Sequence, residues 1–292
     1  MHSRAFFAPV LFVGFLCLPL LLITAETRGE DDLGSLLALL KHRDPATRLS
    51  AIRKLVALKD PGAVEPLIKT LTDQTPAVRE EAAHALAQIG DGRALAPLVA
   101  ILKHKSIPFR NVAAESLGIL GDKRAVDPLV AALVGGEAVR NSIVGALIAI
   151  GEPSIPALVK ALSSNDPEVP PAAATALGGI GGDQVIEPLV NTLKKADRRT
   201  KCATAKALGV VGSKKAIPAL SEALKAKIPG APGRPIRFDY RVDAARALGK
   251  IGDKVALPAL KAAAKIRNGP LSMAAKQAID EINRRALEED AE

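Results

Sequence analysis

Apolar residues recur along this chain with two nested periods. Over short distances they fall three and four positions apart, which places them on one face of a helix. One such stretch holds Val78, Ala82, Ala83, Leu86 and Ile89. Over longer distances the whole pattern returns. Its clearest mark is an aliphatic residue followed by glycine, at Ile89-Gly90, Leu120-Gly121, Ile150-Gly151, Ile180-Gly181, Val211-Gly212 and Ile251-Gly252. With Leu58-Lys59 as a degenerate first copy, the steps are 31, 31, 30, 30, 31 and 40 residues. A period of this length predicts a stack of small units rather than one globular core.

Each unit reads as two helices. The first carries the apolar face described above and ends at the glycine, which takes the left-handed conformation that closes a helix. Its start has a capping residue at Asp44, Thr75, Ser106, Asp166 and Asp197, and proline follows at Pro45, Pro76 and Pro167, the first helical position. Asp91, Asp122, Ser213 and Asp253 are placed to cap the second helix, which holds a leucine pair four apart, such as Leu67 and Leu71 or Leu129 and Leu133. One unit cannot bury its apolar face alone, so neighbours must stack. The alanine pairs Ala82-Ala83, Ala113-Ala114, Ala173-Ala174 and Ala244-Ala245 suit close stacking. The count is eight first helices and eight second helices. A lone second helix at 32–42 opens the array and a polar-backed first helix at 270–289 closes it. The solenoid as a whole spans 32–292.

Two units depart from the pattern. A ten-residue insertion lies before the seventh first helix, in the loop 225–238, where three prolines and two glycines exclude a continuous helix. Arg234, Arg237, Phe238 and Tyr240 sit in or beside it. Aromatic residues mixed with arginine are the composition of binding hot spots, so these four are the candidate partner-binding residues. In the fifth unit Pro170 and Pro171 delay or kink the first helix, and the added glycines of its Gly-Gly-Ile-Gly-Gly run are expected to loosen its end.

The pattern resembles the short HEAT-like repeats named after the phycobilisome (bilin) lyases. The matching residues are Val78-Arg79 and Val139-Arg140, Ala85-Leu86 and Ala176-Leu177, Ile89-Gly90-Asp91 and Ile251-Gly252-Asp253, and the run from Pro128 to Leu133. The resemblance implies an all-α, right-handed α-solenoid with first helices outside and second helices inside. It also implies a structural ladder for the recurrent basic residue, Arg48, Arg79, Arg110, Arg140, Lys201 and Arg241, bonding to adjacent loops and broken at Pro170.

Composition narrows the function classes. The 292 residues include no Trp, one Tyr and six Phe, and four of the Phe lie within the first 25 residues. That opening segment has a basic start, a charge-free apolar run from Ala5 to Ile23, and then a polar turn. It reads as a secretory signal peptide at 1–25 with a cut after Ala25, or as a membrane anchor if kept, followed by a short linker at 26–31. The chain is therefore expected to be exported, to the periplasm or beyond. Cys202 is the one cysteine outside the leader, so no internal disulfide is expected. The net charge of +9 favours acidic partners.

Candidate chemistry is sparse. His42, His84 and His104 lie in different units and none precedes a glutamate, so the His-Glu pairs of HEAT-repeat iron hydroxylases are missing. No motif has metal-ligand spacing, no catalytic residue stands out, and no cofactor is expected. The reading that follows is a non-catalytic scaffold or adaptor that binds protein through its concave surface and inserted loop. The alternatives are a bilin-lyase-like enzyme or tetrapyrrole carrier, disfavoured by the leader and the few aromatics, and a polyanion-binding envelope protein. Small-molecule substrates and nucleic acid are not expected.

Overall fold

The computed structural model describes residues 32–228, 238–266 and 269–289. The expected leader at 1–25, the linker at 26–31 and most of the inserted loop lie outside them. The described residues form sixteen α-helices and no strand. In chain order these begin with α1 (Leu33–Leu39), α2 (Pro45–Leu58), α3 (Val64–Thr70), α4 (Pro76–Ile89), α5 (Leu95–Ile101), α6 (Ile107–Leu120), α7 (Val126–Ala132) and α8 (Glu137–Ile150). They continue with α9 (Ile155–Ala161), α10 (Val169–Ile180), α11 (Ile186–Lys195), α12 (Arg198–Val211), α13 (Ile217–Leu224), α14 (Tyr240–Ile251), α15 (Leu257–Ala264) and α16 (Pro270–Glu289). Even-numbered helices are the first helices of each unit and odd-numbered ones the second. The result is an all-α solenoid.

The turn inside each unit explains why the glycine recurs. Gly90, Gly121, Gly212 and Gly252 adopt φ between 67° and 79°, where a side chain would strain the backbone. The degenerate first copy puts Lys59 in the same conformation at φ 50°. The acid or serine that follows caps a single 3-10 turn rather than the second helix itself. Asp91, for example, accepts from the Arg93 N–H at 2.9 Å, and the 3-10 turn Gly92–Ala94 runs straight into α5.

The leucines form the seam between the two rows. Leu36, Leu67, Leu98, Leu129, Leu158, Leu189, Leu220 and Leu260 are inaccessible to solvent, as are Leu86, Leu117, Leu147, Leu177, Leu208 and Leu248. The even-numbered helices pack most closely on one another, α6 on α8, α10 on α12, α12 on α14 and α14 on α16. Small residues make this possible. A Cβ added at Gly118 would lie 2.8 Å from the Ala146 Cα, and one at Gly209 would lie 2.8 Å from the Ala247 Cα. Gly178 against Ala207 and Gly249 against Ala278 repeat the contact at 2.7 and 2.9 Å.

The fifth unit corrects two expectations. Pro167 stands in the turn before α10 instead of at its first position, because Asp166 accepts from the Glu168 N–H at 2.9 Å and the helix starts only at Val169. Gly178 and Gly179 do not sit in open space at a loose helix end. Gly178 is a close-contact point with α12, and Gly179 accommodates the Ile148 side chain of α8, whose Cδ1 would lie 2.4 Å from an added Cβ. At the end of the array, α16 buries Leu271, Ala275, Ala278 and Ile282, while Lys276, Gln277, Asp280 and Arg284 face solvent. Among the described residues, no single helix is long and apolar enough to cross a membrane.

The close contacts predict opposite effects for one chemical change. Gly209→Ala should destabilise the array by about 1–3 kcal/mol, because the new methyl meets backbone. Gly145→Ala, in an open position within α8, should stabilise it by up to about 1 kcal/mol. Chemical denaturation of the two variants beside the parent measures both signs.

Candidate interaction surface

In α2, α4, α8 and α14 the basic residue near the helix start holds the loop before it, whereas Lys201 of α12 turns to the Tyr240 ring instead. Arg48 is buried; its Nη1 donates to the carbonyls of His42 and Arg43 at 2.7 and 3.1 Å. Its Nη2 reaches into the next unit, donating to Asp73 Oδ1 at 2.9 Å and Thr75 Oγ1 at 3.1 Å. Arg79 donates to the carbonyls of Asp73 and Gln74 at 2.6 and 3.2 Å. Arg140 donates from Nε to the Leu133 carbonyl at 3.0 Å. Arg110 departs from the expected ladder: unlike Arg48, Arg79 and Arg140, its guanidinium meets no acceptor among the described residues. The reason lies in the next loop, which carries Gly135 and Gly136 where the Arg48 partner Asp73 stands two units earlier.

The side chain at that loop position has a second task. His42 Nδ1 and His104 Nδ1 accept from the N–H groups of Asp44 and Ser106 at 3.1 and 3.0 Å, as Asp73 does from Thr75 at 2.8 Å. These two histidines are helix-start acceptors. Among the described residues no group of His, Cys, Asp or Glu could hold a metal ion. Cys202 is buried; that burial, and then the Asp243 carboxylate beside it, push its thiol up to about 12, so it is protonated at neutral pH.

Where Pro170 interrupts the ladder, Glu168 takes over. Its carboxylate pairs with Arg140 from the unit before at 2.8 Å and with both terminal nitrogens of Arg199 from the unit after. One acid thus ties three successive units together. The Arg199 hydrogen bonds, and then the nearby Arg140 charge acting against desolvation, hold the Glu168 carboxyl below its usual value.

The candidate residues at the insertion divide. Arg234 and Arg237 lie outside the described residues. Phe238 is 39% exposed, with a left-handed φ of 58°. Tyr240 does not present its ring on the loop. It is the first residue of α14 and only 8% exposed, because it fills the buried register position held by Val78 and Phe109 in other units. The Lys201 Nζ stands 5.1 Å from its ring centroid. Arg241 clasps both sides of the insertion, donating to the Asp239 carboxylate at 2.9 and 2.8 Å and to the Ala226 carbonyl at 3.2 Å.

Grooves separate successive second helices. The one between α1 and α3, of about 470 Å³, is lined by Leu37, Lys41, Lys69 and Asp73. That between α3 and α5, of about 730 Å³, is lined by Ile68, Ile101, Arg79, Lys103, Lys105 and Phe109 among others. Val159, Glu187 and Lys195 line a third between α9 and α11, and Lys194, Lys201, Glu222 and Tyr240 a fourth between α11 and α13. The second of these was missed in the sequence reading. Its signal was there: an aromatic, Phe109, at a register position that Val78, Val139 and Val169 hold in other units, just after Lys103 and Lys105.

The Glu168 bridge predicts an acid-sensitive stability. A carboxyl depressed in the folded chain binds its proton more readily when unfolded. Its stabilisation is therefore complete above about pH 5 and fades as the pH falls through the depressed value. Asp91, held down to about 2 by its Arg93 hydrogen bonds, adds to the same trend. Glu168→Gln should lower the melting temperature at neutral pH and flatten its fall toward acid; thermal melts across pH measure both.

Comparison with known proteins agrees with this geometry. A family model of HEAT repeats matches residues 33–118 and 155–230, and one of the PBS lyase HEAT-like repeat matches residues 109–135 and 240–265. Comparison with curated proteins gives no match. Among solved structures, Kap121p aligns with a TM-score of 0.50 at 13% identity, over 85% of this chain and 37% of that one. The CpcE–CpcF complex of phycocyanin lyase from Nostoc sp. PCC7120 aligns with a TM-score of 0.41 at 24% identity, over 85% and 94% of the two chains. Human deoxyhypusine hydroxylase in complex with glycerol gives 0.39 at 22% identity, over 90% and 99%. The likeness to Kap121p is one of fold alone. With more than half of its residues matched by the HEAT-repeat model, the chain belongs to the HEAT-repeat family.

Proposed function

We propose that the chain is an exported scaffold or adaptor, without catalysis of its own, that holds protein partners along its concave face and the loop inserted at 225–238. The observation that carries this reading is the series of grooves between second helices, each mixing aliphatic walls with charged rims. A stack of repeats builds an extended surface of this kind, and such arrays commonly mediate protein interactions. The net charge of +9 suits partners with acidic surfaces. The charge-free apolar run from Ala5 to Ile23 behind a basic start supports export.

A lyase-like or pigment-carrying role is the second reading, favoured by the match to PBS lyase HEAT-like repeats at 109–135 and 240–265. The test is affinity capture of the tagged full chain from its native envelope after brief cross-linking, with mass spectrometry of the co-eluting proteins and of the bait's own N-terminus. A reproducible protein partner and a bait beginning at Glu26 are expected. Capture should weaken for Arg234→Ala/Arg237→Ala without any change in melting temperature. A bait free of partners but carrying a visible chromophore would favour the second reading. Attachment only to polyanions, lost steeply with salt, would favour a polyanion-binding envelope protein.

A further inference from the structure

Four of the grooves between second helices differ in charge. Those between α1 and α3, α9 and α11, and α11 and α13 each include a carboxylate in their lining, Asp73, Glu187 and Glu222 respectively. The groove between α3 and α5 includes none, while Arg79, Lys103 and Lys105 all border it. The Asp73 carboxylate nearby is already engaged by Arg48. Arg79 spends its hydrogen bonds on two backbone carbonyls and lays its guanidinium 5.6 Å from the centroid of the Phe109 ring. No ion pair among the described residues neutralises Arg79, Lys103 or Lys105.

The same groove is the largest of the four, at about 730 Å³. Its apolar surface comes from Ile68 and Ile101 on the two helices and from Phe109 beneath. Phe109 is 3% exposed, so it is a fixed floor, locked by Arg79 on its face and by the His104 ring edge-on at 5.2 Å. A concave apolar floor ringed by cations that lack counter-charges is complementary to an apolar side chain flanked by carboxylates. Burying the apolar side chain removes water from around the cations and strengthens their attraction to the acids.

Resting on the scaffold reading, we propose that the groove between α3 and α5 is a docking site for an acidic protein segment. An aliphatic residue of that segment seats against Phe109, Ile68 and Ile101, and carboxylates on either side pair with Arg79, Lys103 and Lys105. Nucleic acid and other polyanions supply the charge without the aliphatic anchor, so they satisfy only half of the site.

The test titrates the full chain against short fluorescein-labelled peptides, one alternating Glu and Leu, one alternating Glu and Ser, and one alternating Lys and Leu, together with labelled oligodeoxythymidine. Fluorescence anisotropy should show binding of the Glu–Leu peptide alone. Lys103→Glu/Lys105→Glu should weaken it about ten-fold or more, while Lys195→Glu, in the groove between α9 and α11, leaves it within about two-fold. Both lysines are exposed, so the double variant should melt with the parent. Absence of Glu–Leu binding, equal binding by the double variant, or equal binding of the Glu–Ser peptide or the oligonucleotide would overturn the assignment. The scaffold reading fails separately, by the absence of any partner in the cross-linked capture. A partner captured equally by parent and double variant would leave that reading standing and sink this site.

Discussion

The structure depends on how closely neighbouring first helices can approach. At Gly118, Gly178, Gly209 and Gly249 the backbone of one helix meets an alanine of the next at a distance that leaves no room for a methyl group. Contacts this short let each layer bury its leucines completely against the next with hardly an aromatic ring among them. They also set the style of the whole chain. A core filled by Ala, Leu, Val and Ile in register can be repeated without end, whereas bulky rings would need a different fit in each layer. Ile148 is the exception that shows the rule, since the unit it faces supplies Gly179 to receive it.

Tight packing of the first-helix row leaves the second-helix row more open. The second helices of the array are 7 to 10 residues long, against 12 to 20 for the first helices. They are joined to the next unit by loops whose carbonyls are gathered by Arg48, Arg79 and Arg140. Those arginines fix the loop positions and hence the groove shapes. Where the ladder fails at Pro170, the Glu168 bridge restores the tie between units, so the interruption changes the partners without releasing the layers. The insertion is handled likewise, with Arg241 holding Ala226 on one side of it and Asp239 on the other.

Much of this was legible in the sequence because it is local and repeated. Helix periodicity, the leucine pairs and the glycine that closes each first helix need only a few neighbouring residues. The glycines one position after the leucine, such as Gly118 and Gly209, were not legible as contacts. Glycine in a helix reads as a weak point until its partner one unit away is known. The same long-range dependence hid the Glu168 bridge, the orphaned Arg110 facing Gly135 and Gly136, and the groove over Phe109. For Tyr240 the sequence pointed both ways, to a binding aromatic beside the insertion and to the register position of Val78, and it is the register position that it fills. Each of these requires matching a residue to a unit some thirty positions away, where side-chain chemistry and not periodicity decides the outcome.

If the first-helix contacts form the spine of the molecule, local stability must differ between the two rows. Native-state hydrogen exchange of the full chain, resolved by peptide mass spectrometry, tests this directly. Amides in the centres of α6, α8, α12 and α14 should exchange most slowly and at similar rates, with those of α3, α5, α7 and α9 opening sooner. Second helices protected as well as or better than the first would contradict a spine built on close first-helix contact.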